Sequence, residues 1–145
     1  MRSGLRTLAG LVAMSLLLAG CSGNVFELAV GDCFDDGDIA LGELEEVGEV
    51  PLVDCTEPHE NEVYAVVTVD GEVFPGEDAI QAQANEVCFE AFDPFVGIDY
   101  ESSALDFGWL VPTADSWEMG DRVVACFVYR LDLAKVSGTL AGSSI

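Results

Sequence analysis

Residues 61–92 read NEVYAVVTVDGEVFPGEDAIQAQANEVCFEAF, and the period of their apolar positions changes midway. Along Asn61–Val69, Val63, Ala65, Val67 and Val69 recur at every second residue, which predicts a strand with these four on one face. Asp70-Gly71 is a strong hairpin signal, with Glu72-Val73-Phe74 as the expected return. Pro75-Gly76 breaks that pattern. From Glu77 to Phe92 the spacing becomes helical, and Ile80, Ala84, Val87, Cys88 and Ala91 share one stripe. Glu77 and Asp78 sit in the first turn, where negative charge suits the helix dipole. Pro94 is the expected stop. A strand followed by one amphipathic helix calls for a sheet on which the helix can bury its stripe.

The flanking segments supply that sheet. Residues 25–36 (VFELAVGDCFDD) read as a short first strand running into an acidic turn, and residues 37–49 as an exposed acidic loop. Leu105, Phe107, Trp109 and Val111 alternate along LDFGWLV. Val123, Ala125, Phe127, Tyr129 and Leu131 alternate along RVVACFVYRL, leaving Val124, Cys126 and Val128 for the other face. The tail SGTLAGSSI is small and polar and is expected to fray beyond residue 140. The predicted fold is a single α+β domain: an antiparallel sheet of about four to five strands packed by one main helix, with two disulfides.

The amino terminus reads MRSGLRTLAGLVAMSLLLAGC. Arg2 and Arg6 form a basic flank, and the apolar run Leu8–Leu18 is shorter than the roughly 20 residues a spanning helix needs. This is the pattern of a secretory signal. Leu18-Ala19-Gly20-Cys21 resembles a bacterial lipobox, in which the Cys thiol takes a diacylglycerol carrying acyl chains such as palmitate, and a peptidase cuts before the Cys. The expected division is a lipoprotein signal peptide over 1–20, the lipidated Cys21 with a short tether over 21–28, and a folded domain over 29–142. The expected location is the extracytoplasmic face of the cell membrane, with Cys21 as the anchor and no transmembrane helix.

The 145 residues carry 27 Asp and Glu against 5 Lys and Arg. Removal of the leader would leave only Arg122, Arg130 and Lys135 as basic side chains. Such a chain has no basic patch for nucleic acid or anionic headgroups. The hydrophobic fraction of the full 145 residues, 50%, is too high for a disordered acidic tail. Electrostatics oppose adsorption to an anionic bilayer, so the lipid must do the anchoring.

With Cys21 assigned to lipid, Cys33, Cys55, Cys88 and Cys126 remain. An even count in an exported domain suggests two disulfides, and four cysteines allow three pairings. The favoured set is Cys33–Cys55, closing a local acidic segment, with Cys88–Cys126, tying the helix to a late strand. No Cys-x-x-Cys occurs, and there is one His, which argues against zinc and thioredoxin-like chemistry.

Taken in order, a set of local motifs resembles the septum formation domain of bacterial envelope proteins. They are Val30-Gly31-Asp32-Cys33-Phe34, Val53-Asp54-Cys55, Pro58-His59, Glu62-Val63, Pro75 before the helix, and Cys88. They continue with Pro112 and Trp117, Gly120-Asp121-Arg122, Cys126, and Ser137-Gly138-Thr139-Leu140. The resemblance spans nearly all of residues 29–142. It implies an exported, often membrane-tethered domain with no known catalytic activity and no cofactor. The acidic stretch 35–49 departs from the family pattern.

Three chemistries compete with a binding role toward an envelope protein or wall component. Asp32, Asp36, Gly37, Ile39 and Glu43 fall at positions one, five, six, eight and twelve of a calcium loop, but Phe34 occupies position three, where an oxygen is needed. The expectation is a solvated loop that attracts divalent cations weakly. His59 has no nucleophile motif beside it, and it is expected to pack or hydrogen-bond at the start of the Asn61–Val69 strand. Arg122 is expected to pair with a carboxylate such as Asp121, with Trp109 or Trp117 as alternative stacking surfaces for a partner or glycan. An envelope hydrolase using two acids is the remaining alternative; acids are too abundant here for any chosen pair to inform.

Overall fold

The computed structural model of the protein describes residues 22–24, 27–36 and 49–145. Cys21, the leader and most of the acidic loop lie outside them. The elements are β1 (Ser22–Asn24), β2 (Cys33–Phe34), β3 (Glu49–Val53), β4 (Asn61–Thr68), α1 (Glu77–Val96), β5 (Leu105–Leu110), α2 (Ala114–Glu118) and β6 (Val123–Arg130). The strands lie in the order β1-β3-β2-β4-β6-β5, and every pairing is antiparallel. Five strands, β3 to β5, make the main sheet, and β1 extends it by three residues. The expected α+β architecture is what forms.

The helix buries Ile80, Ala84, Cys88, Phe92 and Val96. This is an unbroken i, i+4 stripe, one position longer than the expected helix allows. Pro94 lies inside α1, and the helix ends instead at Gly97, whose left-handed conformation (φ 86°) lets its N–H reach the Asp93 carbonyl. Near a helix end, proline removes a single i−4 hydrogen bond. Burial of Val96 outweighs that loss.

The strand that opens the argument is interrupted. Val63 faces Phe127 and Ala65 faces Cys126, so Tyr64 is an extra residue, a β-bulge. The bulge turns Tyr64 to the helix side, where its hydroxyl donates to the Cys88 carbonyl at 2.6 Å. Val63 therefore leaves the face shared by Ala65 and Val67 and packs on the reverse of the sheet.

The sheet consequently carries apolar packing on both faces. Under α1 lie Tyr64, Val69, Leu105, Val124, Cys126, Val128 and Leu140. On the reverse lie Leu28, Phe34, Val50, Val63 and Ala125, with Leu52, Leu110 and Phe127 beside them. Cys126 shares its face with Val124 and Val128, as the alternation along β6 predicts. The bridges are Cys33–Cys55 and Cys88–Cys126.

Four local expectations need correction. The first strand shrinks to Cys33–Phe34, because residues 29–32 form a turn in which the Asp32 N–H donates to the Ala29 carbonyl and Gly31 takes φ 94°. A strand the periodicity does not reveal, β3, runs through Pro51. Proline lowers a strand reading but is tolerated where its missing N–H breaks no ladder. No return strand follows Asp70-Gly71. Residues 72–74 are held instead by side chains of the α2 region: Phe74 packs edge-on to Trp117 at 5.6 Å, and the Trp117 indole donates to the Glu72 carbonyl. The tail does not fray after residue 140. The N–H groups of Gly142 and Ser144 donate to the carbonyls of Phe95 and Val96, satisfying acceptors that the end of a helix leaves open.

Arg122 also departs from expectation. It pairs with backbone, not with a carboxylate. Its guanidinium donates to the carbonyls of Gly71, Trp117 and Asp121 and lies 3.8 Å over the Trp117 ring. It staples the turn after β4 to the turn before β6. Arg122→Gln should lower stability by about 1–2 kcal/mol through lost charged hydrogen bonds and cation–π contact. Arg122→Lys should recover only part, because an ammonium lacks the planar fork. Urea titration reads both; a wild-type midpoint for the Gln variant would refute the staple.

Candidate functional site

The chemistry-bearing residues of the described structure converge where β2 meets β4. Pairing places Cys33 opposite Glu62, so the two side chains share a face, the one opposite Phe34. Glu62 in turn lies opposite Val128, which puts this face on the helix side. His59 precedes β4 and is fixed by a two-bond bridge: its N–H donates to the Val136 carbonyl, and the Val136 N–H returns the bond. The tail closes over the group. Thr139 donates its hydroxyl, and Leu140 its N–H, to the two oxygens of Glu62, each at 2.6 Å.

The three residues are sealed from solvent, with exposures of 1% for Cys33, 0% for His59 and 2% for Glu62. One ligand atom from each lies within 4.8 Å of the others. His59 Nδ1 sits 2.9 Å from the Glu57 carbonyl. A carbonyl only accepts, so Nδ1 carries a proton, and in the neutral ring Nε2 presents a lone pair. That atom is buried and makes no hydrogen bond. Glu62 is a buried acid with no ion pair among the described residues. Buried charges are normally paired or bound to metal, and an orphaned buried polar atom calls for an explanation.

Acidic residues follow β2 and precede β4. Lys135 contacts Asp35 at 2.7 Å and Glu60 at 3.9 Å. The Asp35 carboxylate accepts from the Glu60 N–H, and Glu60 accepts from the Asp36 N–H. Asp36 accepts from Asn61. Partial burial raises the Asp36 carboxyl above the usual range, against the lowering effect of that Asn61 bond, and the charges of Glu60 and Asp35 push the same way as burial.

The calcium-loop reading fares differently from the His59 reading. Asp32 accepts from the Ala29 N–H and Asp36 is tied to Asn61, so both described acids serve as local tethers. Gly37, Ile39 and Glu43 lie outside the described residues. Among the described residues, the grouping with metal-ligating geometry is Cys33, His59 and Glu62. His59 packs and hydrogen-bonds before β4, as expected. Glu62 escapes a sequence reading. The signals are the Glu62-Val63 motif and an acid inside an apolar strand, and neither reveals its partners, 29 residues upstream and 77–78 residues downstream.

Trp109 and Trp117 serve the fold. The Trp109 indole donates to Gln81 on α1, and Trp117 is buried under Arg122 and Phe74. Among the described residues, no helix is long and apolar enough to cross a membrane.

No curated protein and no solved structure matches this chain. A family model described as septum formation matches residues 22–126, from β1 to the half-cystine of β6. It takes in all four disulfide cysteines with His59 and Glu62, and it stops short of Thr139 and Leu140, which close the pocket. With a match over well more than half its length, the chain belongs to the septum formation family.

Proposed function

We propose that this protein is a lipid-anchored interaction domain on the extracytoplasmic face of the cell membrane, working in septum formation. The observation that carries the reading is a septum formation domain locked by two disulfides, since such bonds persist in exported proteins. The leader and Leu18-Ala19-Gly20-Cys21 supply export and anchoring. Two acyl chains suffice for stable attachment, at about 0.8 kcal/mol per buried methylene. Interaction suits the molecule better than catalysis. Its one histidine is enclosed by the tail and cannot meet an external substrate. Its acidic surface favours a cationic face on an envelope protein or wall component.

Cys21→Ala tests the anchor. Wild-type protein should incorporate labelled palmitate and stay with membranes, whereas the variant should lose the label and accumulate as precursor. Labelled Cys21→Ala would overturn the lipid assignment. Cross-linking in living cells tests the interaction. Septal proteins or wall fragments should be recovered, in yields that fall as salt rises, because exposed charge attraction is screened within about 8 Å at physiological ionic strength. Recovery of none would remove the interaction role while leaving the anchor standing.

A further inference from the structure

We propose that the Cys33–Cys55 disulfide masks a metal site: once a dithiol reduces it, the Cys33 thiolate, His59 Nε2 and the Glu62 carboxylate bind a divalent transition metal of the zinc class. The inference goes beyond the interaction role and does not depend on it.

The ligand set already stands together. Zinc takes thiolate, imidazole and carboxylate at about 2.0–2.3 Å. One ligand atom from each residue already lies within 4.8 Å of the others, and tetrahedral zinc sets its ligands about 3.3–3.8 Å apart, so the approach required is at most roughly 1.5 Å. The supporting contacts are those that metal sites use. A ligating imidazole commonly donates its other N–H to a carbonyl, and ligating carboxylates are themselves hydrogen-bonded. Here Glu57 holds Nδ1–H, and Thr139 and Leu140 hold Glu62. These contacts leave the Nε2 lone pair free and buried. A carboxylate accepting two hydrogen bonds retains lone pairs for a metal.

The missing element is the thiolate. A disulfide sulfur carries no negative charge, so the oxidised protein presents two ligands and an unused lone pair. The two half-cystines differ in a way that suits release of Cys33. Cys33 is buried and Cys55 is half-buried, so an incoming thiolate meets the Cys55 sulfur. Attack there forms a mixed disulfide with Cys55, breaks the Cys33–Cys55 bond and expels Cys33 as thiolate. The second thiol of the reductant then displaces Cys55 and leaves as an intramolecular disulfide, having given up two electrons. Cys55 keeps one proton and can donate it to the Gly31 carbonyl, 3.2 Å from its sulfur. The other proton goes to solvent as Cys33 binds the metal. A water fills the fourth position.

Cobalt(II) reports the site, because thiolate ligation produces a charge-transfer band. The test uses the full chain in detergent, with Cys21→Ser in every arm to remove the lipid-acceptor thiol. Adding Cys55→Ser frees Cys33 without a reductant and leaves Cys88–Cys126 intact. Cobalt should then give the band and zinc should abolish it, while the oxidised parent should give none. His59→Gln and Glu62→Gln, each added to Cys55→Ser, should weaken cobalt binding at least tenfold. A folded Cys55→Ser protein with no band, or a band indifferent to His59 and Glu62, overturns the proposal. If Cys55→Ser does not fold, the parent is equilibrated in buffers of reduced and oxidised glutathione at a series of ratios, and alkylation maps the state of Cys33. Zinc should then move the reduction midpoint of Cys33–Cys55 to less negative potential by mass action on the reduced form. An unmoved midpoint overturns the proposal equally.

Discussion

Replacing Cys88 and Cys126 together by alanine should lower the unfolding free energy by about 4 kcal/mol, the largest loss expected from removing either bridge. The bond spans 38 residues, and loop-closure entropy gives about 4 kcal/mol for that length against about 3.4 kcal/mol for the 22 residues of Cys33–Cys55. Both half-cystines are fully buried, and the bond joins α1 to β6, an interior strand between β4 and β5. Domains of this size are stable by about 5–15 kcal/mol, so the variant should sit close to unfolding at 37 °C. Urea titration should show a lower midpoint and a steeper slope, because the unlinked denatured chain exposes more surface. A smaller loss than that of the Cys33/Cys55 double variant would contradict the assignment of Cys88–Cys126 as the principal staple.

Phe92→Ala should cost about 3–5 kcal/mol, the range for emptying a buried aromatic site. Phe92 is fully buried, and its ring meets Tyr100 at 5.2 Å, Phe107 at 5.9 Å and Tyr64 at 6.2 Å, all centroid to centroid. Deleting it removes a buried contact joining α1 both to β5 and to the bulged residue of β4. Phe89 is the internal control. It lies on the same helix and touches Tyr100 and Phe107, yet is 50% exposed. Phe89→Ala should cost less than about 1.5 kcal/mol, since only part of its surface leaves water on folding. Equal losses for the two would place the core elsewhere.

Much of the scaffold was legible because its signals are local. A stripe at every fourth residue from Ile80 and alternation along β5 and β6 follow from helix and strand geometry. With Cys126 on the face of Val124 and Val128, and Cys88 on the stripe, the favoured Cys88–Cys126 pairing is consistent with the sequence, and it is the one that forms. The errors share a cause. Pro94 and Pro51 carry strong local meanings: burial of Val96 outweighed one lost helix hydrogen bond at the first, and the second stands where its missing N–H breaks no ladder. Asp70-Gly71 suggested a hairpin, but anchoring of Phe74 by Trp117 took the chain to α1 instead. The bulge at Tyr64 left no trace in the spacing of apolar residues, because both tyrosine and valine suit either face.

The pocket was less legible. Cys33, His59 and Glu62 were each visible as residues, and their proximity was not. Register decides it: Cys33 faces Glu62 only because β2 pairs with β4 at that offset, and a slip of one residue would turn Glu62 to the other face. Small polar residues have no period, so the sequence predicts a frayed tail. Its order comes from helix carbonyls that need donors and from the buried carboxylate that Thr139 and Leu140 satisfy.

From residue order alone came the helix, three of the strands, the favoured disulfide pairing and the family resemblance, since each depends on neighbours a few positions apart or on motifs in series. The folded chain alone decided which face Val63 takes, where the tail goes, and that a half-cystine, an imidazole and an acid share one buried enclosure. Those outcomes depend on pairing between segments distant in sequence, where the energy lies in burial and in hydrogen bonds that no local pattern encodes.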